Sequence, residues 1–186
     1  VKRKEERREK FRFAIRLREI NEKGFPSLMG EPTREITLRF LAEPANVNFG
    51  GKVHGGAVMK WIDQGAYACA VGWSGNYCVT AYVGGIRFYH PIPIGSLIEV
   101  RAQVALTGRT SMHVAVDVFA ADPKTHQFVK TTHCIAIFVA VDEKGAPVAV
   151  PAWNPEAPED ISLRNYALRL MDLRKDIEQE MRPHLA

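Results

Sequence analysis

The chain has 186 residues, 46% of them hydrophobic and 25% charged, enough for one domain with a buried core plus terminal extensions. No apolar run reaches membrane-spanning length, and the opening VKRKEERREK lacks the apolar centre of a secretory leader, so a cytoplasmic protein without a membrane partner is expected. The net charge of +4 is local in origin: residues 1–23 hold ten Lys and Arg against five Glu, which leaves 15 basic and 16 acidic residues elsewhere and argues against a nucleic-acid-binding face.

Residues 3–22 have helical composition with a narrow stripe of Phe11, Ile15 and Ile20, and the glycines and prolines of EKGFPSLMGEP end that helix. A basic helical arm over 1–30 follows, a solvated helix laced by salt bridges, with contact to a phosphate-bearing ligand or anionic surface as the alternative. In REITLRF, Ile36, Leu38 and Phe40 alternate with Thr37 and Arg39, the period of a strand with one covered face. From Gly55 to about Trp73 the residues are small and apolar on most faces, which predicts a helix surrounded by protein.

Four strand-like segments come next, over 79–89, 97–106, 111–120 and 128–141. Gly84-Gly85 marks a bulge or bend in the first, and Ile98, Val100, Ala102 and Val104 share one face of the second. The turns at His90-Pro91-Ile92-Pro93, Thr107-Gly108-Arg109 and Asp122-Pro123-Lys124 are short enough to join antiparallel neighbours. The segment over 31–150 thus reads as one α+β domain, a single antiparallel sheet wrapped around a long central helix. Over 151–186, a Pro-rich linker leads into an amphipathic helix whose Leu163, Tyr166, Leu170, Leu173 and Ile177 suit docking on the body or on a partner.

Cys69, Cys78 and Cys134 fit no metal-ligand or redox spacing and read as reduced thiols in the core or an interface. His90, His113, His126 and His133 have no ligand spacing either, and are expected as surface or strand residues. The chain contains no P-loop, G-x-G-x-x-G, G-x-S-x-G or H-E-x-x-H, which removes support for nucleotide hydrolysis, a dinucleotide cofactor, serine esterase chemistry and zinc peptidase chemistry.

One constellation remains. Asn48, Gly55, Gly56, Lys60, Ile62 and Asp63 form the pattern N-x(6)-G-G-x(3)-K-x-I-D, with VHGG opening the helix. This pattern resembles the acyl-CoA thioesterases of the hotdog fold, in particular the cytosolic long-chain acyl-CoA hydrolase group. The segments VTA at 79–81, FYHPIPIGSLIEV at 88–100 and GRTSMHV at 108–114 are similar in order and spacing, so the resemblance covers about residues 35–142. It implies a hotdog fold with helical extensions, an acyl-CoA substrate, and a site to which Asp63 and Asn48 come from different subunits. It also implies no metal and no cofactor beyond the coenzyme A of the substrate. A related bacterial subgroup has Asp where this chain has Lys52, so the acid role falls to Asp63.

Thioester hydrolysis requires a nucleophile or activated water and donors for the charge that develops on the carbonyl oxygen. Gly55 and Gly56 lie at the predicted helix start, where backbone N–H groups lack intrahelical partners and no Cβ obstructs a carbonyl. Asp63 is seven residues past Gly56, on the same face but about 10 Å along the axis, so two subunits with antiparallel helices are needed to bring acid and donors together. A dimer is the minimum assembly expected, and a trimer of dimers is common in the family.

Asp63 acts as general base or as nucleophile in this reading, with Asn48 orienting water or carbonyl; an ion pair with Lys60 is the plainer role for the acid, and a turn the plainer role for Asn48. Thr80 is placed to support the acid by a hydrogen bond, and His54 to cap the helix or to act as a base. Arg109, Thr110 and Ser111 resemble the region that holds coenzyme A phosphates in the family, an ordinary hairpin turn being the alternative. A non-catalytic acyl-CoA-binding sensor on the same fold is the competing function.

Overall fold

The computed structural model describes residues 31–125 and 127–184; the helix expected over 3–22 and His126 lie outside them. Five strands, β1 (Glu35–Leu41), β2 (Tyr77–Phe88), β3 (Leu97–Thr107), β4 (Ser111–Ala121) and β5 (Phe128–Val141), form one antiparallel sheet in the order β1-β3-β4-β5-β2. Helix α1 (Gly55–Ser74) lies on one face of that sheet and helix α2 (Pro158–Met181) follows the last strand. None of the described helices is long and apolar enough to cross a membrane.

Alternation puts Ile98, Val100, Ala102 and Val104 of β3 in the core, all buried, together with Val114, Val116 and Val118 of β4 and Ala136 and Phe138 of β5. Against them α1 lays Val58, Trp61, Ile62, Ala66, Cys69 and Ala70. The approach is close because Gly65 has no side chain: a Cβ there would stand 2.8 Å from Val100 Cγ1. Trp61 meets Phe40 edge-on at 5.1 Å between ring centres. The helix ends at Gly75, which takes the left-handed φ of 67° and donates its N–H to Val71 O.

Two sequence expectations are corrected. The segment after β2 is not a hairpin: β2 pairs with β5 at one edge of the sheet while β3 pairs with β1 and β4, so residues 89–96 cross the end of the sheet. Proline at 91 and 93 removes two donors that a ladder would need, and the crossing is tied to the loop before α1 instead, where Val53 donates to Ile92 O. Helix α1 is also not enclosed all round. Met59, Lys60, Asp63, Gln64 and Tyr67 form an uncovered face beside the free edge of β2, where Tyr77, Val79 and Phe88 are exposed.

The outer face of the sheet is half apolar and half charged. Its apolar half, Ala105, Ala115 and Ile135, is covered by Leu163, Ala167 and Leu170 of α2. The stripe of α2 is therefore split, because Tyr166, Leu173 and Ile177 stay exposed along one side. Arg34 anchors the start of α2 by donating to Asp160, with its guanidinium 4.4 Å from the centre of the Trp153 ring. In the charged half Glu99 is buried between Arg39 and Arg101; burial raises its carboxyl, and the two guanidinium partners more than reverse this, leaving it below the ordinary carboxylate range.

Next to it Asp117 receives Lys130 at 2.8 Å and lies 2.7 Å from His133 Nδ1, whose Nε2 is 3.0 Å from the Tyr166 hydroxyl. His133 is thus a strand residue that ties α2 to the sheet. Burial raises the Asp117 carboxyl too, and again its hydrogen-bonded partners win. All three cysteines are buried and free, and burial pushes Cys69 and Cys134 up to about 12, which keeps both as thiols.

His113, 6% exposed on β4, is held neutral by burial and then by the nearby Arg174, its pKa lowered from 6.5 to about 4. The folded state refuses a proton that the unfolded chain accepts, so stability present above pH 6.5 falls as the pH drops toward 4. Thermal melts of His113→Phe are expected to lose less Tm than the parent over that window and to match its slope above it.

Candidate active site

The loop between β1 and α1 is a tight turn that fixes where the helix starts. Asn48 organises it: its side-chain Oδ1 accepts from Gly50 N at 2.8 Å and from Lys52 N at 3.1 Å, and its own N–H donates to Lys52 O. The turn role considered for Asn48 is therefore real, and it has a consequence. With Oδ1 committed to the turn, the side-chain amide has its NH2 group left to offer.

His54 caps α1. Its backbone is extended, and its Nδ1 accepts from Gly56 N at 2.8 Å, which puts the ring proton on Nε2. His54 O already accepts from Ala57 and Val58. Of the two glycine amides at the helix start, one is therefore occupied: the Gly56 N–H is taken by the cap, whereas the Gly55 N–H meets no acceptor among the described residues. A Cβ on Gly56 would come within 2.9 Å of His54 Nδ1, so glycine there permits the cap. Gly55 instead faces a cleft of about 290 Å³ lined by Val58, Phe88, Tyr89 and Ile92 among others.

Asp63 sits two turns further on, exposed on the uncovered face of α1. Its Oδ1 accepts a 2.8 Å hydrogen bond from Thr80 Oγ1 of β2, and among the described residues it makes no ion pair, with Lys60 or otherwise. One carboxylate oxygen is oriented, and the other accepts no hydrogen bond from the described residues. The register of β2 is irregular between Thr80 and Tyr82, where the strand bends beside the helix.

The turn of Arg109, Thr110 and Ser111 is not brought to these groups within one chain. It lies beside the last turn of α1, where Trp73 donates to Pro151 O, Val150 donates to Arg109 O and Ala140 donates to Thr110 O. The helix between has 20 residues, about 30 Å at 1.5 Å per residue. Arg109 is exposed there. Ser111 begins β4, and Gly108 is its close neighbour, since a Cβ would meet Ser111 Oγ at 2.7 Å.

The chain has relatives of known name. Residues 50–126 match the thioesterase superfamily model. The acyl-CoA thioester hydrolase YciA of Salmonella typhimurium strain LT2 is 32% identical over 124 residues, which cover 64% of this chain and 92% of that protein. The chain belongs to the thioesterase superfamily.

Solved members of the superfamily agree in fold. A hexameric acyl-CoA thioesterase in its apo form superposes with a TM-score of 0.75 at 31% identity, over 80% of this chain and 96% of that one. An acyl-CoA hydrolase from Staphylococcus aureus, bound to butyryl coenzyme A, coenzyme A and coenzyme A disulfide, gives 0.74 at 26% identity, over 81% of this chain and 92% of that one. Alanine variants of that hydrolase have been solved at an Asn, an Asp and a Thr, spaced by the same 15 and 17 residues that separate Asn48 from Asp63 and Asp63 from Thr80 here.

His133 and Asp117, a close acid–histidine pair, lie on the opposite face of the sheet under α2 and take no part in this arrangement. Their signal in the sequence was only that both occupy outward positions of alternating strands, which says nothing of their pairing across β4 and β5. The capping assignment is open to test: His54→Ala is expected to lower stability by about 1 kcal/mol in urea unfolding, and His54→Asn to restore most of it.

Proposed function

We propose that this member of the thioesterase superfamily hydrolyses acyl-CoA thioesters, water and acyl-CoA giving a carboxylic acid and coenzyme A, in a homo-oligomer whose sites are shared between two chains. The observation that carries the reading is the unpartnered Gly55 N–H at the start of α1, lining a cleft, on the same helix that presents an oriented carboxylate at Asp63. The YciA relative, an acyl-CoA thioester hydrolase, and the hexameric thioesterase among the structural neighbours support it.

In this reading Asp63 of one chain works at the Gly55 amide of another. Antiparallel helices related by a two-fold axis near Met59 satisfy the separation, because that residue lies midway between 55 and 63 and is half exposed on the uncovered face. The free edge of β2 lies beside the same face, and an unpaired strand edge of 12 residues is a ready partner for its own copy. Phe49, fully exposed at the tip of the loop, is a further apolar group that a second chain would cover.

The Gly55 N–H, reinforced by the positive end of the helix, receives the thioester oxygen as it becomes negative. Asp63, held by Thr80, takes a proton from water that attacks the carbonyl carbon, or attacks that carbon itself to give an anhydride which water then opens; the thiolate of coenzyme A leaves and is protonated. The Asn48 NH2 group orients the water or the carbonyl. The partner's 107–111 turn falls beyond the Gly55 end of the first chain, a reach that suits the length of coenzyme A, and Arg109 offers forked donors to its phosphates. No metal or organic cofactor is required by these steps.

Thiol release from an acyl-CoA panel tests the reading. Asp63→Ala is expected to abolish turnover, and Thr80→Val to lower kcat with little change in KM. Gly55→Pro is the sharper probe, since proline is tolerated at the first helical position after the extended His54 and removes the N–H; a loss of about 10²–10³ in kcat with an unchanged Tm is expected, with Gly55→Ala, which adds a Cβ and keeps the N–H, losing much less. Saturable acyl-CoA binding without any turnover by the parent would favour the sensor instead.

A further inference from the structure

An apolar pocket of about 130 Å³, open at one end, lies on the other side of the sheet, between its outer face and the second half of α2. It exists because β2 has no side chains where it passes under the helix. Gly84 is overlain by the Tyr82 ring, which a Cβ would meet at 2.2 Å, and Gly85 takes a left-handed φ of 66° that bends the strand away. Ile135, Ile137 and Leu170 line its apolar wall.

Two nitrogen-bearing side chains face this space beside Tyr82. His113 is 94% buried by its 6% exposure and forms no hydrogen bond with any described residue, although its strand neighbours Leu106 and Ile137 are apolar and offer nothing that would require a histidine. Arg174 stands at the mouth, its guanidinium 4.6 Å from the centre of the Tyr82 ring, and its other partner is Glu178 one turn along the helix. Glu178 is half exposed, and a surface pair of that kind contributes little and is readily exchanged.

We propose that this cavity binds a short unbranched carboxylic acid of about four to six carbons, its tail among Ile135, Ile137 and Leu170 and its carboxylate between the His113 ring N–H and Arg174. Size sets the upper limit: an apolar cavity of about 150 Å³ takes a molecule of benzene's size. Charge sets the head group, since the site presents one cation and a donor to a ligand and has no fixed anion of its own apart from the exchangeable Glu178. A second site for an acid, on the face of the sheet away from Asp63, gives the protein a means to sense the class of product it would release. That link rests on the proposed hydrolysis; the binding does not.

Isothermal titration of the 186-residue chain with hexanoate, hexanol and hexylamine tests it. One saturable hexanoate site per chain is expected, with hexylamine giving none. Arg174→Gln is expected to weaken hexanoate about tenfold without altering hexanol, and His113→Phe, which fills and depolarises the space, to abolish both. Asp63→Asn is expected to leave hexanoate binding intact even where turnover is lost. The proposal is overturned if hexanoate gives no saturable heat, the result of a cavity holding water only. It is also overturned if affinity is unchanged in Arg174→Gln, or if it disappears in Asp63→Asn, which would put the acid in the reaction cleft.

Discussion

The feature on which the molecule depends is the close seating of helix α1 on the sheet through Gly65 and Val100. Because that contact is made by a residue without a side chain, the helix lies deep enough for Trp61, Ile62, Ala66 and Ala70 to be buried together, and its start is pinned by the Asn48 turn and the His54 cap. One side of the helix is then fully used by the core. The opposite side, with Met59, Asp63 and Tyr67, is left outward, and so is the β2 edge beside it. A buried helix half-covered by its own chain is what makes a second chain part of the proposed site.

The same economy of contacts leaves one donor free at the helix start. Four amides have to find acceptors there; His54 donates to Asn46 O, the cap and the His54 carbonyl satisfy those of Gly56 and Ala57, and among the described residues the Gly55 amide alone remains. A donor that is rigidly held, unpaired and exposed to a cleft needs no rearrangement to receive charge. Thr80 does the corresponding work for the carboxylate, fixing one oxygen of Asp63, and in the proposed reaction the other is left for a proton.

Much of this was legible from residue order, and the failures have physical causes. Strand periodicity located β1 to β5 closely, since the inward positions of β3 and β4 are apolar almost without exception. The Asn48, Gly55 and Asp63 spacing marked the candidate site because a local motif needs no knowledge of the fold. The adjacency of β2 and β3 was misjudged: short separation in sequence suggests a hairpin, and only the binding of the Pro91–Pro93 segment to the loop at Val53 shows that it crosses instead. The enclosure of α1 was overestimated for a related reason, as apolar composition reports that a face is covered without saying by which chain. Nothing in the sequence separated the Gly55 amide from that of Gly56, because the difference is made by one rotamer of His54. Nor could it reveal the chain Asp117, His133, Tyr166, whose members are 16 and 33 residues apart and meet only through the β4–β5 register and the docking of α2.

The central claim is that acid and amide donor come from different chains, and subunit mixing tests it most directly. Oligomers of Asp63→Ala and of Gly55→Pro, each inactive alone, would be dissociated together and allowed to reassociate. A shared site predicts that mixed dimers regain one intact site each, so that random pairing restores about a quarter of the parent activity. If both residues serve the same chain, every site keeps one lesion, and mixing restores nothing.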